Sequence, residues 1–178
     1  MKRFREPIAI AVTTVLLLAC VAPRIETRSR VEGRLESVHT VDVLLANVSG
    51  EGLSNDELPP SRELSEQAAV VLRSKGYRIA AREESDVRMA ISARIDRVIR
   101  RTWSSDPDAS ALREIEIDEA VIVVAVFDDT STKAVWSVEA RSPLSRRQAF
   151  FFPTRDEIWV ATLREAIEAF PISAPGGD

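Results

Sequence analysis

Two stretches in the middle of the chain constrain its fold more than anything else. Val87, Met89, Ile91, Ala93 and Ile95 alternate with Arg88, Ser92, Arg94 and Asp96. A period of two is the signature of a strand with one face buried. Further on, Ile115 and Ile117 alternate, and then Ala120 to Phe127 are apolar without interruption. Such a run predicts a strand covered on both faces and therefore central in its sheet. A chain containing both segments must build a sheet and supply something to pack on it.

The cover comes from two amphipathic segments. Leu64, Ala68, Val71 and Leu72 fall at i, i+4, i+7 and i+8, one stripe of a helix over 61–75. Ser61, just after Pro59-Pro60, is the expected N-cap, and Gly76 the residue that closes the helix. Thr154 with Glu157 three residues on forms a capping box. The second helix then runs to about Phe170, with Ile158, Leu163, Ile167 and Phe170 inward and Pro171 as its stop.

The remaining elements follow from their punctuation. Val38 to Val48 is β-branched and apolar, with Val41, Val43 and Leu45 on one face, a strand. The Gly- and Pro-containing stretch 49–60 is a loop, and 77–81 is a short strand or turn. Arg100 to Arg113, with Asp106, Pro107 and Asp108, is expected as a hairpin loop. After a turn at 128–133, Ala134 to Arg141 pairs back with Trp136 and Val138 on one face, and Pro143 to Pro153 forms a second irregular loop. The order β-α-β-β-β-β-α predicts an α+β fold, a mixed or antiparallel sheet of about five strands packed by two helices.

With 178 residues, 45% of them hydrophobic, the chain has the makings of one domain, expected over 38–171 with a frayed tail at 172–178. Its start reads differently. Lys2, Arg3 and Arg5 precede an apolar stretch from Ile8 to Ala19, too short for a spanning helix and suited to a signal peptide over 1–19. The stretch ends Leu17-Leu18-Ala19-Cys20, which resembles the lipobox of bacterial lipoproteins. The resemblance implies cleavage between Ala19 and Cys20 and acylation of Cys20, including palmitate-type chains; the polar, Arg- and Glu-rich stretch that follows reads as a tether over 20–37 running toward a first strand. Several acyl chains give a stable anchor where one does not. Val21 follows the cysteine, and resemblance to lipoproteins lacking aspartate there points to the outer membrane, facing the periplasm.

Composition and motifs exclude more than they assign. The 24 basic residues less Lys2, Arg3 and Arg5, against 28 acidic less Glu6, leave the processed chain at −6, a poor match for nucleic acid. One Cys allows no internal disulfide, and His39, the single histidine, is the one possible imidazole base of a hydrolase triad. Asp106 and Asp108 open like a calcium loop, but Ala111 and Ile117 stand where Gly and Glu are needed. Glu114, Glu116 and Asp118 alternate on one strand face, read as a solvated edge ahead of paired catalytic carboxylates. Gly50-Glu51-Gly52 lacks the third glycine of a phosphate loop. We therefore expect no catalytic residues, no metal and no cofactor. Phe150, Phe151 and Phe152 beside Arg146 and Arg147 are either a partner or membrane contact or a strand segment with rings in the core.

From Arg62 onward the layout resembles the domain of unknown function 4136 family of bacterial lipoproteins. Four segments carry the resemblance: the first helix ending in Lys75-Gly76-Tyr77, Ser85-Asp86-Val87 opening a strand, Lys133-Ala134-Val135-Trp136 after the central strand, and Phe170-Pro171 closing the last helix. It implies an α+β envelope domain with no established activity. A transport-auxiliary lipoprotein shares the same coarse order. The expectation is thus a lipid-anchored envelope domain binding a protein partner or envelope component. The alternative is an auxiliary lipoprotein subunit of an envelope lipid or ABC-type transport system.

Overall fold

The computed structural model describes residues 26–31, 35, 37–49, 58–103, 112–128, 132–144 and 154–172. Among these residues there are seven strands and two α-helices: β1 (Glu26–Val31), β2 (Thr40–Val43), β3 (Asn47–Ser49), α1 (Ser61–Ser74), β4 (Arg78–Ile79), β5 (Val87–Trp103), β6 (Leu112–Asp128), β7 (Trp136–Leu144) and α2 (Arg155–Glu168). They form one mixed sheet in the order β1-β7-β6-β5-β2-β4, with β3 also on β5. Pairing is antiparallel from β1 to β5 and parallel where β2 and β3 join β5 and β4 joins β2. The expected α+β class holds. Of the two strands beyond the five expected, β1 lies in the stretch read as a tether and β3 arises from a break, while β4 is the short strand expected over 77–81.

That break corrects the single strand expected over 38–48. Val41 is fully buried while Leu45 is 70% exposed, so Leu45 does not share the inward face. Ser65 of α1 explains the interruption. Its hydroxyl accepts from the Ala46 N–H at 2.9 Å and shares its one proton between the Leu44 carbonyl at 3.2 Å and the Ser61 carbonyl at 3.0 Å, partnering groups that a continuous ladder would have paired. Beyond the break the inward parity passes to Ala46 and Val48.

Both helices cover one face of the sheet. On that face lie Val87, Met89, Ile91 and Ala93 of β5, Ala120, Ile122, Val124 and Val126 of β6, and Trp136, Val138 and Ala140 of β7, all buried with Leu64, Ala68, Val71 and Leu72 of α1 and Ile158, Leu163 and Ile167 of α2. Every residue of the two predicted stripes is therefore in the core. The helix termini are half as expected. Thr154 makes both arms of its capping box with Glu157, and Gly76 takes φ 92° after the α1 C-cap, a conformation open to glycine at little cost. Ser61, by contrast, is the first helical residue and Pro60 the N-cap. Proline's fixed φ suits an extended entry, and nothing on its side chain caps.

β6 is central, but it is not covered alike on both faces: Val123, Ala125 and Phe127 are half-buried. An antiparallel sheet can leave one face to water, and here the helices occupy the other. The loop expected over 100–113 is also corrected. β5 runs to Trp103 and β6 starts at Leu112, in register throughout.

Tyr77, Trp136 and Phe170 converge although they lie far apart in the chain. The Phe170 ring stands 5.2 Å from Tyr77 and 4.9 Å from Trp136, the latter edge-on. The Tyr77 hydroxyl donates to the Pro171 carbonyl at 3.0 Å, and Lys75 Nζ to the Glu168 carbonyl at 2.9 Å. Burial pushes the Tyr77 phenol above its usual range. Three segments far apart in the chain thus meet in one clamp, which ties the end of α1 to the end of α2 over β7.

Candidate functional site

The residues singled out at the start of the chain, Ala19 and Cys20, and those of the second loop, Arg146, Arg147, Phe150, Phe151 and Phe152, lie outside the described residues, as do Asp106 and Asp108. His39 is exposed immediately before β2. Its main-chain N–H and that of Thr40 each donate to Asp86 Oδ2 at 2.8 Å, while the Asp86 N–H donates to Thr40 Oγ1 at 2.8 Å. The aspartate of Ser85-Asp86-Val87 therefore fastens the start of β2 to the start of β5.

Burial alone would raise the Asp86 carboxyl, but the hydrogen bonds from His39 and Thr40 outweigh it and hold the group below its ordinary 3.8. A carboxylate whose pKa falls on folding stabilises the fold above its unfolded pKa and loses that contribution as pH drops through the folded one. Asp86→Asn should therefore cost about 1 kcal/mol at neutral pH. In urea melts the gap to wild type should close as the pH falls below the carboxylate range. A gap that is unchanged at acid pH would show that the charge does not matter.

Glu114, Glu116 and Asp118 share one face of β6, as their spacing predicts, but they face cations. Arg97 lies 3.2 Å from Glu116 and 3.3 Å from Asp118, and Arg101 lies 3.0 Å from Glu114. What the structure places there is pairing with arginines. Single-sequence periodicity missed it because the partners come from the other strand.

On the helix-free face a second charged set spans three strands. Arg94 of β5 reaches Asp96 at 2.9 Å and Glu139 of β7 at 3.5 Å; Arg141 of β7 reaches Glu139 at 2.8 Å, Asp96 at 3.1 Å and Glu119 of β6 at 3.7 Å; Arg100 also pairs with Glu119. Contacts between β5 and β7 must pass over β6, which runs between them. The residue beneath is Val121, in register with Arg94 on one side and Arg141 on the other and completely buried. The ion pairs are a roof over an apolar strip, with the long arginine stems placed to shield it. The Glu119 side chain is 3% exposed, a burial that carboxylates tolerate only when paired. The Arg141 hydrogen bond holds the Glu139 carboxyl below its ordinary 4.5, and Glu139 in turn raises the Arg141 guanidinium. Three guanidiniums meet three carboxylates, so the roof presents no net charge to a ligand.

Among the described residues no group of three or more His, Cys, Asp or Glu side chains could hold a metal ion, and no helix is long and apolar enough to cross a membrane.

No family model matches the chain, and no curated protein matches it. Solved structures do resemble it. The PelC dodecamer from Paraburkholderia phytofirmans is 13% identical, with a TM-score of 0.50 over 85% of this chain and 100% of that one. A point variant of the same PelC dodecamer is 15% identical, with a TM-score of 0.46 over 81% and 95%. A Xanthomonas campestris protein of the domain-of-unknown-function 330 family is 13% identical, with a TM-score of 0.37 over 78% and 83%. At these identities the first match shows a shared fold.

Proposed function

We propose that this chain is a bacterial envelope lipoprotein, acylated on Cys20 after cleavage at Ala19, whose α+β domain works by binding rather than by catalysis. The observation that carries the reading is the complete signal in the sequence: basic start, apolar stretch of about twelve residues, and Leu17-Leu18-Ala19-Cys20 at its end. The domain behind it supports the same view, because its conspicuous carboxylates are neutralised by arginines that hold strands together. PelC of shared fold forms a dodecamer, and we extend to this chain the reading that the envelope component it binds includes further copies of itself.

The test is Cys20→Ala in a bacterial host, followed by membrane fractionation and mass spectrometry of the product. The variant should leave the membrane fraction or accumulate as precursor, while the wild type should carry acyl mass on its new N-terminus. A variant that fractionates and migrates like wild type, or an unmodified thiol in the mature wild-type chain, would overturn the anchor.

A further inference from the structure

Two polar atoms deep in the core have no hydrogen-bond partner among the described residues, the Ser142 hydroxyl oxygen and the Trp159 indole nitrogen. Ser142 of β7 is wholly buried and Trp159 of α2 is 1% exposed. An indole N–H can only donate, whereas a hydroxyl both donates and accepts. Leaving either group unpaired away from water is costly, and folded proteins pair the great majority of them.

The two belong to one seam. Phe170, just beyond α2, packs edge-on at 4.9 Å against Trp136, the first residue of β7. From there α2 runs back over β6 and β7, antiparallel to β7. Trp159 lies eleven residues before Phe170, about 16 Å along a helix that rises about 1.5 Å per residue. Ser142 lies six residues after Trp136, about 20 Å along a strand at roughly 3.3 Å per residue. Helical side chains lean toward the helix N-terminus, which brings the indole toward the level of Ser142. The buried face of β7, with Trp136, Val138 and Ala140, is also the face of Ser142.

The same seam holds a third polar group and little bulk. Thr162, one turn after Trp159 and wholly buried, donates its hydroxyl to the Ile158 carbonyl at 2.7 Å, which leaves lone pairs on its oxygen. Ala120, in register with Ser142, Ala140 beside it on the same face, and Ala166, one turn beyond Thr162, are all fully buried. Alanines leave room in a helix–sheet seam that larger side chains would fill. A buried water needs such room and two to four polar partners.

We propose that one internal water molecule sits in this seam. It accepts from the Trp159 indole N–H, donates to Thr162 Oγ1 and makes a further bond with the Ser142 hydroxyl. The water fastens α2 to β7 toward the end of the helix opposite the Tyr77–Phe170 clamp. A direct bond between Ser142 and Trp159 is the competing arrangement. The proposal depends neither on the anchor nor on the binding reading above.

The experiment uses the full chain in detergent, labelled with nitrogen-15 on tryptophan. The Trp159 indole N–H, identified by its loss in Trp159→Phe, should show a cross-relaxation peak to a long-lived water. Should that variant fail to fold, through-space contacts to the Trp159 amide make the assignment. In Ser142→Ala the peak should persist, because two partners still hold the water; a direct bond, seen only through exchange of the Ser142 hydroxyl, would lose it. In urea melts the folding equilibrium constant of Ser142→Ala should fall about fivefold, because the water loses a partner. An unpaired hydroxyl would give the opposite sign, since its removal relieves a buried polar group. A wild type whose Trp159 indole lacks the water peak, a peak that vanishes in Ser142→Ala, or a Ser142→Ala chain at least as stable as wild type would overturn the proposal.

Discussion

Phe170→Ala should destabilise the domain by about 3–5 kcal/mol, the range for removing a buried phenylalanine and leaving part of its volume empty. Phe170 is 1% exposed and supports two ring contacts at once, with Tyr77 and with Trp136. Its loss would also free the end of α2, where the Pro171 carbonyl accepts from Tyr77 and the Glu168 carbonyl from Lys75. Against the roughly 5–15 kcal/mol that holds a domain together, that is about a fifth of the total or more. A chain of this length should lose about 6–20 °C in melting temperature. Phe170→Leu, which keeps most of the apolar volume, should recover over half of the loss, and Tyr77→Phe should cost only about 1 kcal/mol for its hydrogen bond. A double-mutant cycle between Tyr77 and Phe170 would isolate their coupling. Chemical unfolding that places Phe170→Ala within 1 kcal/mol of wild type would show that the clamp is decorative.

Arg141→Ala should be the most damaging change on the opposite face, at about 2–3 kcal/mol. Removing one partner of a buried ion pair commonly costs about 3–5 kcal/mol, and the 30% exposure of the Arg141 side chain calls for a discount. The reason is an asymmetry. Without Arg141, the buried Glu119 keeps only Arg100, and Asp96 and Glu139 keep only Arg94. Without Glu119, Arg141 still has Asp96 and Glu139, and Arg100 can turn its guanidinium to water. Glu119→Gln should therefore cost less than Arg141→Ala. Arg141→Met separates shielding from charge, because its stem still covers Val121. The sign of the pH effect follows from Glu139, whose pKa the Arg141 hydrogen bond lowers. Its contribution is complete above the ordinary carboxylate range and is lost as pH falls through the folded pKa, so the gap between wild type and Arg141→Met should shrink under acid conditions. Equal denaturation midpoints at neutral pH would remove the roof from the account of stability.

Much of the scaffold was legible because its signals are local. The stripes of both helices, the capping box at Thr154 and Glu157, the glycine at 76 and the parity of β5 each depend on residues within one or two turns or a few strand positions of each other. What escaped was non-local. The Leu45 side chain faces out because Ser65, on another element, interrupts the ladder. The distal halves of β5 and β6 looked like loop and edge because arginines and glutamates spoil their hydrophobic pattern. They form strands because each charge finds its partner across the ribbon. Of the candidate site residues, Cys20 was singled out by its position at the end of an apolar stretch, a reading of the sequence alone, and it lies outside the described residues.

The sequence by itself determined the two helices, the strand character of most of the sheet and which of their faces turn inward, because periodicity and capping act over short separations in the chain. Only the tertiary structure decided that Tyr77, Trp136 and Phe170 share one clamp, that Val121 lies under a lattice of arginines and carboxylates from three strands, and that arginines of β5 face carboxylates of β6. Those relations depend on strand register and order, which long-range packing sets and which no local pattern encodes.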